Sequence, residues 1–292
     1  MKYFYGPKKR KNYFEGWYFK QSSKNLNIAF IPSISVVNSK EKRAFIQVIS
    51  NFFTERFEFS YDEFSSETKT LNIRIKDNSF SSQGLNLNLK NENYNIQVDI
   101  MYSPFLMLKR GIMGPFKYLP KMECKHNIFS MKHHVDGKIS INSKEYLFNN
   151  DLGYIEGDYG ISFPNKYLWI QANNLNNGAF FLSIATIPYG KINFTGLIAS
   201  LFIGSKEYRF ATYNFTKLKK NTNEHIKLRK GKLTLDVFIE DYDKLVLSAP
   251  KNGDMTRKVY ETMEATIKVV LSKNGREIYE GITDNASLEM DK

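Results

Sequence analysis

The sequence predicts an all-β chain built as two tandem barrel-like or sandwich domains related by internal duplication, residues 1–150 and 151–292. Three observations predict it. Short segments alternate apolar and polar residues at period two. Turn residues punctuate them at roughly ten-residue intervals, and short matches recur about half a chain apart. Period-two alternation puts every second side chain on one face of a strand, and many such strands at even spacing suit a sandwich or an up-and-down barrel.

In chain order the alternating segments are Leu71–Ile75, Leu85–Leu89, Ile96–Ile100 and Lys138–Ile141, then Leu233–Val237, Leu245–Leu247 and Ile267–Leu271. Turn signals fall at Asp77-Asn78-Ser79, Lys90–Asn93, Asp136-Gly137 and Lys273-Asn274-Gly275. Gly196–Gly204 is the longest apolar patch, and it reads as a buried strand interrupted by Ser200. Phe105–Lys117 has room for one short helix, limited by Gly114 and Pro115. A domain of about 140 residues fits about eight strands, enough for a barrel that holds one small ligand.

The duplication rests on matches in a kept order. Tyr13–Tyr18 and Tyr154–Tyr159 both read Y-x-E-G-x-Y, 141 residues apart. Ile28–Pro32 meets Ile184–Pro188, Gly111–Met113 meets Gly253–Met255, and Met122-Glu123 meets Met263-Glu264. Each match is weak alone; their common order is the signal.

Composition narrows the function classes. The 292 residues are 42% hydrophobic and 25% charged, enough apolar surface for a packed core. The 23 Phe and 18 Tyr favour pleated, half-buried surfaces. A single Cys excludes a disulfide framework and a paired-cysteine zinc site. Met1–Trp17 is basic and aromatic without an apolar core, so no signal peptide is expected, and no run of about 18 apolar residues suggests a membrane span. A cytoplasmic, reducing setting is the expectation. The net charge of +12 gathers at Lys8–Lys11, Lys217–Lys220 and Lys227–Lys232. No nucleic-acid-binding motif accompanies these clusters, so no specific nucleic-acid partner is expected, and any such binding should be weak and sequence-independent. Weak contact with an anionic membrane surface fits the charge.

Nucleotide-binding glycine loops, zinc-protease, serine-hydrolase and EF-hand motifs are all absent from the sequence. The densest unusual stretch is Tyr154–Asn173. On a strand, Tyr154, Glu156 and Asp158 share one face; on the next, Tyr167, Trp169, Gln171 and Asn173 share a face, with Leu168, Ile170 and Ala172 behind. Either the amides line a cavity, or Leu168 and Ile170 face the core while the amides face water. Tyr13, Glu15 and Trp17 also share a face, and Glu15 in aromatic company is either an acid with a raised pKa or a structural acceptor. Three of the four His lie in Met122–His134. Cys124 and His126 share a strand face while His133 and His134 point oppositely, so a polar or structural role for His126 is expected rather than a metal site.

At these residues the chain resembles the tocopherol cyclase family. Lys11–Lys20, KNYFEGWYFK, is similar to that family's amino-terminal FEGWYF signature. Tyr154–Asn173 is similar to its E-K-x-W-G-x-x-F-P-x-x-W-x-W-x-Q-x-N stretch, matching at Glu156, Gly160, Phe163, Pro164, Trp169, Gln171 and Asn173. Leu247–Pro250 with Glu261 resembles a carboxy-terminal block of the family. Gly157, Tyr159, Tyr167 and Ala172 depart from its usual Lys, Trp, Trp and Cys.

The resemblance implies a lipocalin-like β fold in two domains, akin to carotenoid hydratases, and acid-assisted closure of a chromanol ring. A prenyl double bond is protonated and a phenol oxygen attacks the cation. That chemistry needs a carboxylic acid in a dry pocket, aromatic walls and orienting polar groups, with no cofactor. On the resemblance, Glu156, Glu15 and Asp158 are the candidate acids. Trp17, Tyr159, Trp169, Gln171, Asn173 and His126 are the candidate ligand-binding residues. The expected partner is a hydrophobic, prenylated or lipid-like small molecule, and the alternative is a non-catalytic lipocalin-like carrier of such a ligand.

Overall fold

The computed structural model describes residues 2–119, 122–189, 192–240 and 245–291. Every long element is a strand; three short 3-10 turns, at Tyr61–Glu63, Gly114–Tyr118 and Thr212–Asn214, are the helical elements among the described residues. The second of these is all that forms of the helix expected over Phe105–Lys117, because Pro115 starts it and the backbone turns extended at Leu119. No helix of the described residues is long and apolar enough to cross a membrane.

The first antiparallel sheet has eleven strands: β1 (Tyr13–Ser22), β2 (Asn27–Val37), β3 (Glu41–Ser50), β4 (Thr54–Phe59), β5 (Phe64–Ser66), β6 (Asn72–Ile75), β7 (Asn78–Ser81), β8 (Gly84–Lys90), β9 (Asn95–Tyr102), β10 (Cys124–Ile141) and β11 (Lys144–Gly160). The second has ten: β12 (Tyr167–Leu175), β13 (Gly178–Tyr189), β14 (Ile192–Ile203), β15 (Lys206–Ala211), β16 (Lys217–Asn221), β17 (His225–Lys230), β18 (Leu233–Ile239), β19 (Leu245–Lys251), β20 (Asp254–Lys273) and β21 (Arg276–Asp291). The first sheet runs β4-β3-β2-β1-β11-β10-β9 and on to β5. The second runs β15-β14-β13-β12-β21-β20-β18-β17-β16, with β19 pairing β20. In each, the first strand lies between the second and the last, the same order twice. The two curled sheets make two lipocalin-like units.

Alternation builds each core as the sequence implies. Leu85, Leu87 and Leu89 of β8 and Ile96, Val98 and Ile100 of β9 point into the first core with Phe19, Phe80 and Phe129. Leu168, Ile170, Leu182, Leu201, Leu235 and Val269 form the second. The apolar patch Gly196–Gly204 falls on β14, where Leu197, Ala199 and Leu201 face that core.

Three sequence expectations are corrected. Unit 1 comprises 1–107, 123–163 and 248–258, and unit 2 comprises 108–122, 164–247 and 259–292, so the boundary lies after Phe163 rather than at 150. The reason is that β11 is paired along its length with β1 and β10 of the first sheet. The two Y-x-E-G-x-Y segments are therefore not equivalent. They lie on adjacent strands, with Tyr18 opposite Glu156 and Glu15 opposite Tyr159; by strand order the counterpart of β1 is β12. Asp136-Gly137 is not a turn but a bulge within β10, where Gly137 has φ +128° and a Cβ would meet the Asp99 carbonyl oxygen at 2.2 Å.

His133 and His134 do point oppositely: His133 is buried and His134 exposed. The His133 ring lies between Tyr102 and Phe105, at centroid distances of 4.4 and 4.8 Å, with Nδ1 2.8 Å from Ser130 Oγ. A Cβ on Gly153 would sit 2.2 Å from His133 Nε2. The ring cannot swing away between two aromatic neighbours, so Gly153→Ala should destabilise unit 1 by about 1–3 kcal/mol in urea unfolding. Burial, with a smaller push from His134, lowers the His133 pKa to about 3. Stability from neutral His133 is thus complete above its unfolded value, near 6.5, and is lost as pH falls from there towards 3. Between pH 6 and 4, wild type should lose about 1 kcal/mol per pH unit more than His133→Gln; parallel pH profiles would contradict this.

Candidate functional site

The inward face of β1 carries Tyr13, Glu15 and Trp17, as the sequence pattern requires. Glu15 is 2% exposed and its carboxylate accepts hydrogen bonds from the Tyr13 hydroxyl (2.6 Å) and from the backbone N–H groups of Tyr5 and Gly6 (both 2.9 Å). Burial raises its pKa, and the hydrogen bonds from Tyr13, Gly6 and Tyr5 oppose the rise. Trp17 Nε1 donates to the Tyr3 carbonyl at 3.0 Å, Phe4 packs on Trp17, and Tyr5 stacks on Tyr159 with centroids 3.8 Å apart. Glu15, Trp17 and Tyr159 therefore contact the chain's own Tyr3–Gly6 segment, which occupies the ground a ligand at these residues would need.

The other face of this sheet region carries a different cluster. Alternation along β11 aligns Tyr154, Glu156 and Asp158, and β10 sets His126 directly opposite Asp158. His126 Nδ1 is 2.7 Å from Asp158 Oδ1 and Nε2 is 3.2 Å from Glu156 Oε2. The Tyr154 hydroxyl donates a short hydrogen bond to the same Glu156 oxygen. Cys124 Sγ lies 3.6 Å from Asp158 Oδ1. Burial acts to lower the His126 pKa, but the charges and hydrogen bonds of Asp158 and Glu156 outweigh it and hold the imidazole well above its ordinary value. His126 thus lies between the two carboxyl groups that raise its pKa. His126, Glu156 and Asp158 also present ligand atoms within 4.8 Å of one another, a donor set that divalent cations accept. Here Nδ1 is at hydrogen-bond distance from Asp158, and Nε2 makes an ion-pair contact with Glu156.

Unit 2 carries the third group. β12 lies between β13 and β21 and sends Leu168, Ile170 and Ala172 into the core. Its opposite face carries Tyr167, Trp169, Gln171 and Asn173. Trp169 sits across from Glu289 and Ser183, and Gln171 across from Ser287 and Phe181. Glu289 in turn faces Glu261 on β20, and the Tyr167 hydroxyl donates to Glu289. Gln171 and Asn173 are 0% exposed, and all four of their amide atoms lack a hydrogen-bond partner among the described residues. An unpaired buried amide costs about 1–3 kcal/mol, and two lie side by side on this buried face.

Of the sequence-predicted residues, the structure joins Glu156, Asp158 and His126 in one cluster, and Trp169, Gln171 and Asn173 on one face. Glu15, Trp17 and Tyr159 form a separate group inside unit 1. Sequence reasoning gave no role to Glu289 and did not foresee that Tyr154 bonds Glu156. The alternation of Tyr154 with Glu156 carried the second signal; Glu289 lies in the carboxy-terminal strand, where no motif marks it.

The sequence model of the tocopherol cyclase-like family matches residues 91–291. That span holds the His126–Glu156–Asp158 cluster and the β12 face, but not Lys11–Lys20. No curated protein sequence matches the chain. Among solved structures, kievitone hydratase from Nectria haematococca is 12% identical, with a TM-score of 0.52 over 96% of this chain and 88% of that one. CghA is 8% identical, with a TM-score of 0.60 over 96% and 88%. The Nitrosomonas europaea protein provisionally named AttH is 12% identical, with a TM-score of 0.55 over 95% and 92%. At these identities the likeness is one of fold. With the family's sequence model covering well over half of its length, the chain belongs to the tocopherol cyclase-like family.

Proposed function

We propose that this protein binds a hydrophobic, prenylated or lipid-like small molecule and catalyses acid-assisted ring closure or hydration at a prenyl double bond. One observation carries the reading: the largely buried series Asp158–His126–Glu156–Tyr154, in which an imidazole whose pKa is raised by its two carboxyl neighbours lies 3.2 Å from Glu156. In the proposed step His126 passes its Nε2 proton to Glu156, and Glu156 delivers it to the alkene carbon. Asp158 holds the ring through Nδ1, and Tyr154 fixes the carboxylate. A phenol oxygen, or water, then bonds to the tertiary cation and its proton returns to Glu156, so the step balances without a co-reactant. Taken by itself, the unit 2 face of Gln171 and Asn173 is a separate binding place that offers hydrogen bonds to a small molecule's hydroxyl or carbonyl groups, with Trp169 as an apolar surface beside them.

A carrier without chemistry is the second reading. It is favoured by the engagement of Glu156 Oε2 with both Tyr154 and His126, a pattern that also suits a purely structural carboxylate.

Glu156→Gln keeps the size of the side chain and removes the transferable proton. Turnover of a prenylated hydroquinone should fall by about 10²–10⁴, the usual contribution of a general acid, with the melting temperature nearly unchanged. Unchanged turnover per folded molecule, with a lowered melting temperature, would establish the structural role and remove Glu156 from catalysis. For the amides, Gln171→Met retains volume and removes two unpaired polar atoms. The ligand-free protein should gain about 1 kcal/mol in stability, and its affinity for a prenylated phenol at this unit 2 face, measured by calorimetry, should drop about tenfold or more. A destabilised variant that binds normally would contradict that assignment.

A further inference from the structure

The basic clusters of the sequence converge on one place in unit 2. Alternation sends Ile226, Leu228, Leu235 and Val237 into the core and leaves Lys227 and Arg229 on the outer face of β17. Lys217 pairs with Arg229 and Lys220 with Lys227, so β16 adds its lysines to the same region, and the β17–β18 turn adds Lys232. Lys219, Lys227, Arg229, Lys232 and Thr234 line an open cleft of about 500 Å³, with Gly231 and Gly275 at its rim. Neither glycine has a heavy atom within 4 Å of the place its Cβ would occupy, so the rim is open. Asp236 pairs with Lys227 at 3.2 Å and with His225 at 2.8 Å. Lys219, Arg229 and Lys232 have no ion-pair partner among the described residues.

Lysines on an edge strand such as β16 discourage strand pairing with other chains. That explanation does not extend to Lys227 and Arg229 on the interior strand β17, nor to Lys232 in the turn.

An independent feature lies at the start of β16. Phe215 is 90% exposed and sits at φ +64°, a conformation that bulky residues rarely adopt. The loop around it is locked. Asn214 Oδ1 accepts from the Ala211 N–H (2.9 Å) and the Thr216 hydroxyl (2.8 Å), Asn214 Nδ2 donates to the Arg209 carbonyl (3.1 Å), and the Thr216 N–H donates to the Ala211 carbonyl (3.1 Å). The loop thus presents an aromatic side chain to solvent two residues before Lys217, about 7 Å of extended chain. An exposed aromatic on a braced loop, adjoining in sequence a strand of lysines, is suited to seating a protein at a bilayer interface. The ring enters the headgroup boundary and the cations meet lipid phosphates.

We infer that the outer face of β16–β17, with Phe215 at its edge, is a docking surface for an anionic lipid bilayer. The inference stands apart from the acid cluster and does not depend on turnover. It is tested by co-sedimentation of the full chain with phosphatidylcholine vesicles and with vesicles containing one-fifth phosphatidylserine, free of any prenylated additive. The protein should pellet with the anionic vesicles alone and be released as salt rises from about 50 to 500 mM. Lys219→Gln with Arg229→Gln should lower the partition coefficient about 30-fold, at about fivefold per cation. Phe215→Ser should lower it about tenfold. Circular dichroism of each variant confirms that the fold is retained. Equal binding to neutral vesicles, binding unaffected by these substitutions, or no binding at low salt would overturn the inference. So would binding confined to inorganic phosphate, or to an oligonucleotide with none to vesicles, since either would assign the cleft to a soluble anion or to nucleic acid.

Discussion

The central strand of each sheet is buried on both faces, and the rest of the chemistry follows from that constraint. β1 is covered along nearly its whole length, and so is β12. A one-sided strand leaves its polar residues to water, whereas a two-sided one forces each of them to find a partner in the protein or in a ligand. In unit 1, on the strand next to β1, the demand is met internally. Glu156 is held by Tyr154 and His126, and His126 in turn by Asp158. In unit 2, Gln171 and Asn173 on β12 are left without a partner among the described residues. The same architecture thus yields a paired Tyr154–Glu156–His126–Asp158 cluster in one unit and two amides without partners among the described residues in the other.

The internal face of unit 1 obeys the same rule by a different device. Glu15 takes its partners from Tyr13 and from the backbone of Tyr5 and Gly6, and Trp17 takes Tyr3. The amino-terminal segment behaves as an intramolecular ligand for Glu15, Trp17 and Tyr159 of the barrel interior. This separates Glu15 from Glu156 although their strands are adjacent. One is fixed by main-chain donors, while the other sits beside the His126 imidazole and the Tyr154 hydroxyl.

The strands were legible because their signal is local. Leu85, Leu87 and Leu89 alternate with Asn, and the faces of Tyr154–Asp158 and Tyr167–Asn173 followed from parity alone. The repeat was legible in kind but not in register. Tyr13–Tyr18 and Tyr154–Tyr159 look alike, yet they are neighbours in one sheet, and strand pairing between residues so far apart leaves no trace in either segment. The strand order exposes the equivalence of β1 with β12 that the matching letters hid. The Tyr3–Gly6 segment was invisible for a related reason: it has no periodicity, and its partners lie in other parts of the chain. His126 could be placed on a face but not paired, because its partner strand β11 is reached through a hairpin with register shifts at Ile128/Ser130 and Val135/Gly137.

If, as we propose, the polar groups buried on β11 and on β12 serve bound hydrophobic molecules, the folded protein should capture one from a lipid mixture. Native mass spectrometry of the purified protein after exposure to a total lipid extract tests it most directly. The account predicts a non-covalent adduct of one small, hydrophobic molecule on the folded charge states, released on collisional activation and identifiable by its mass. The bare protein mass across the whole extract, with the fold intact, would contradict it.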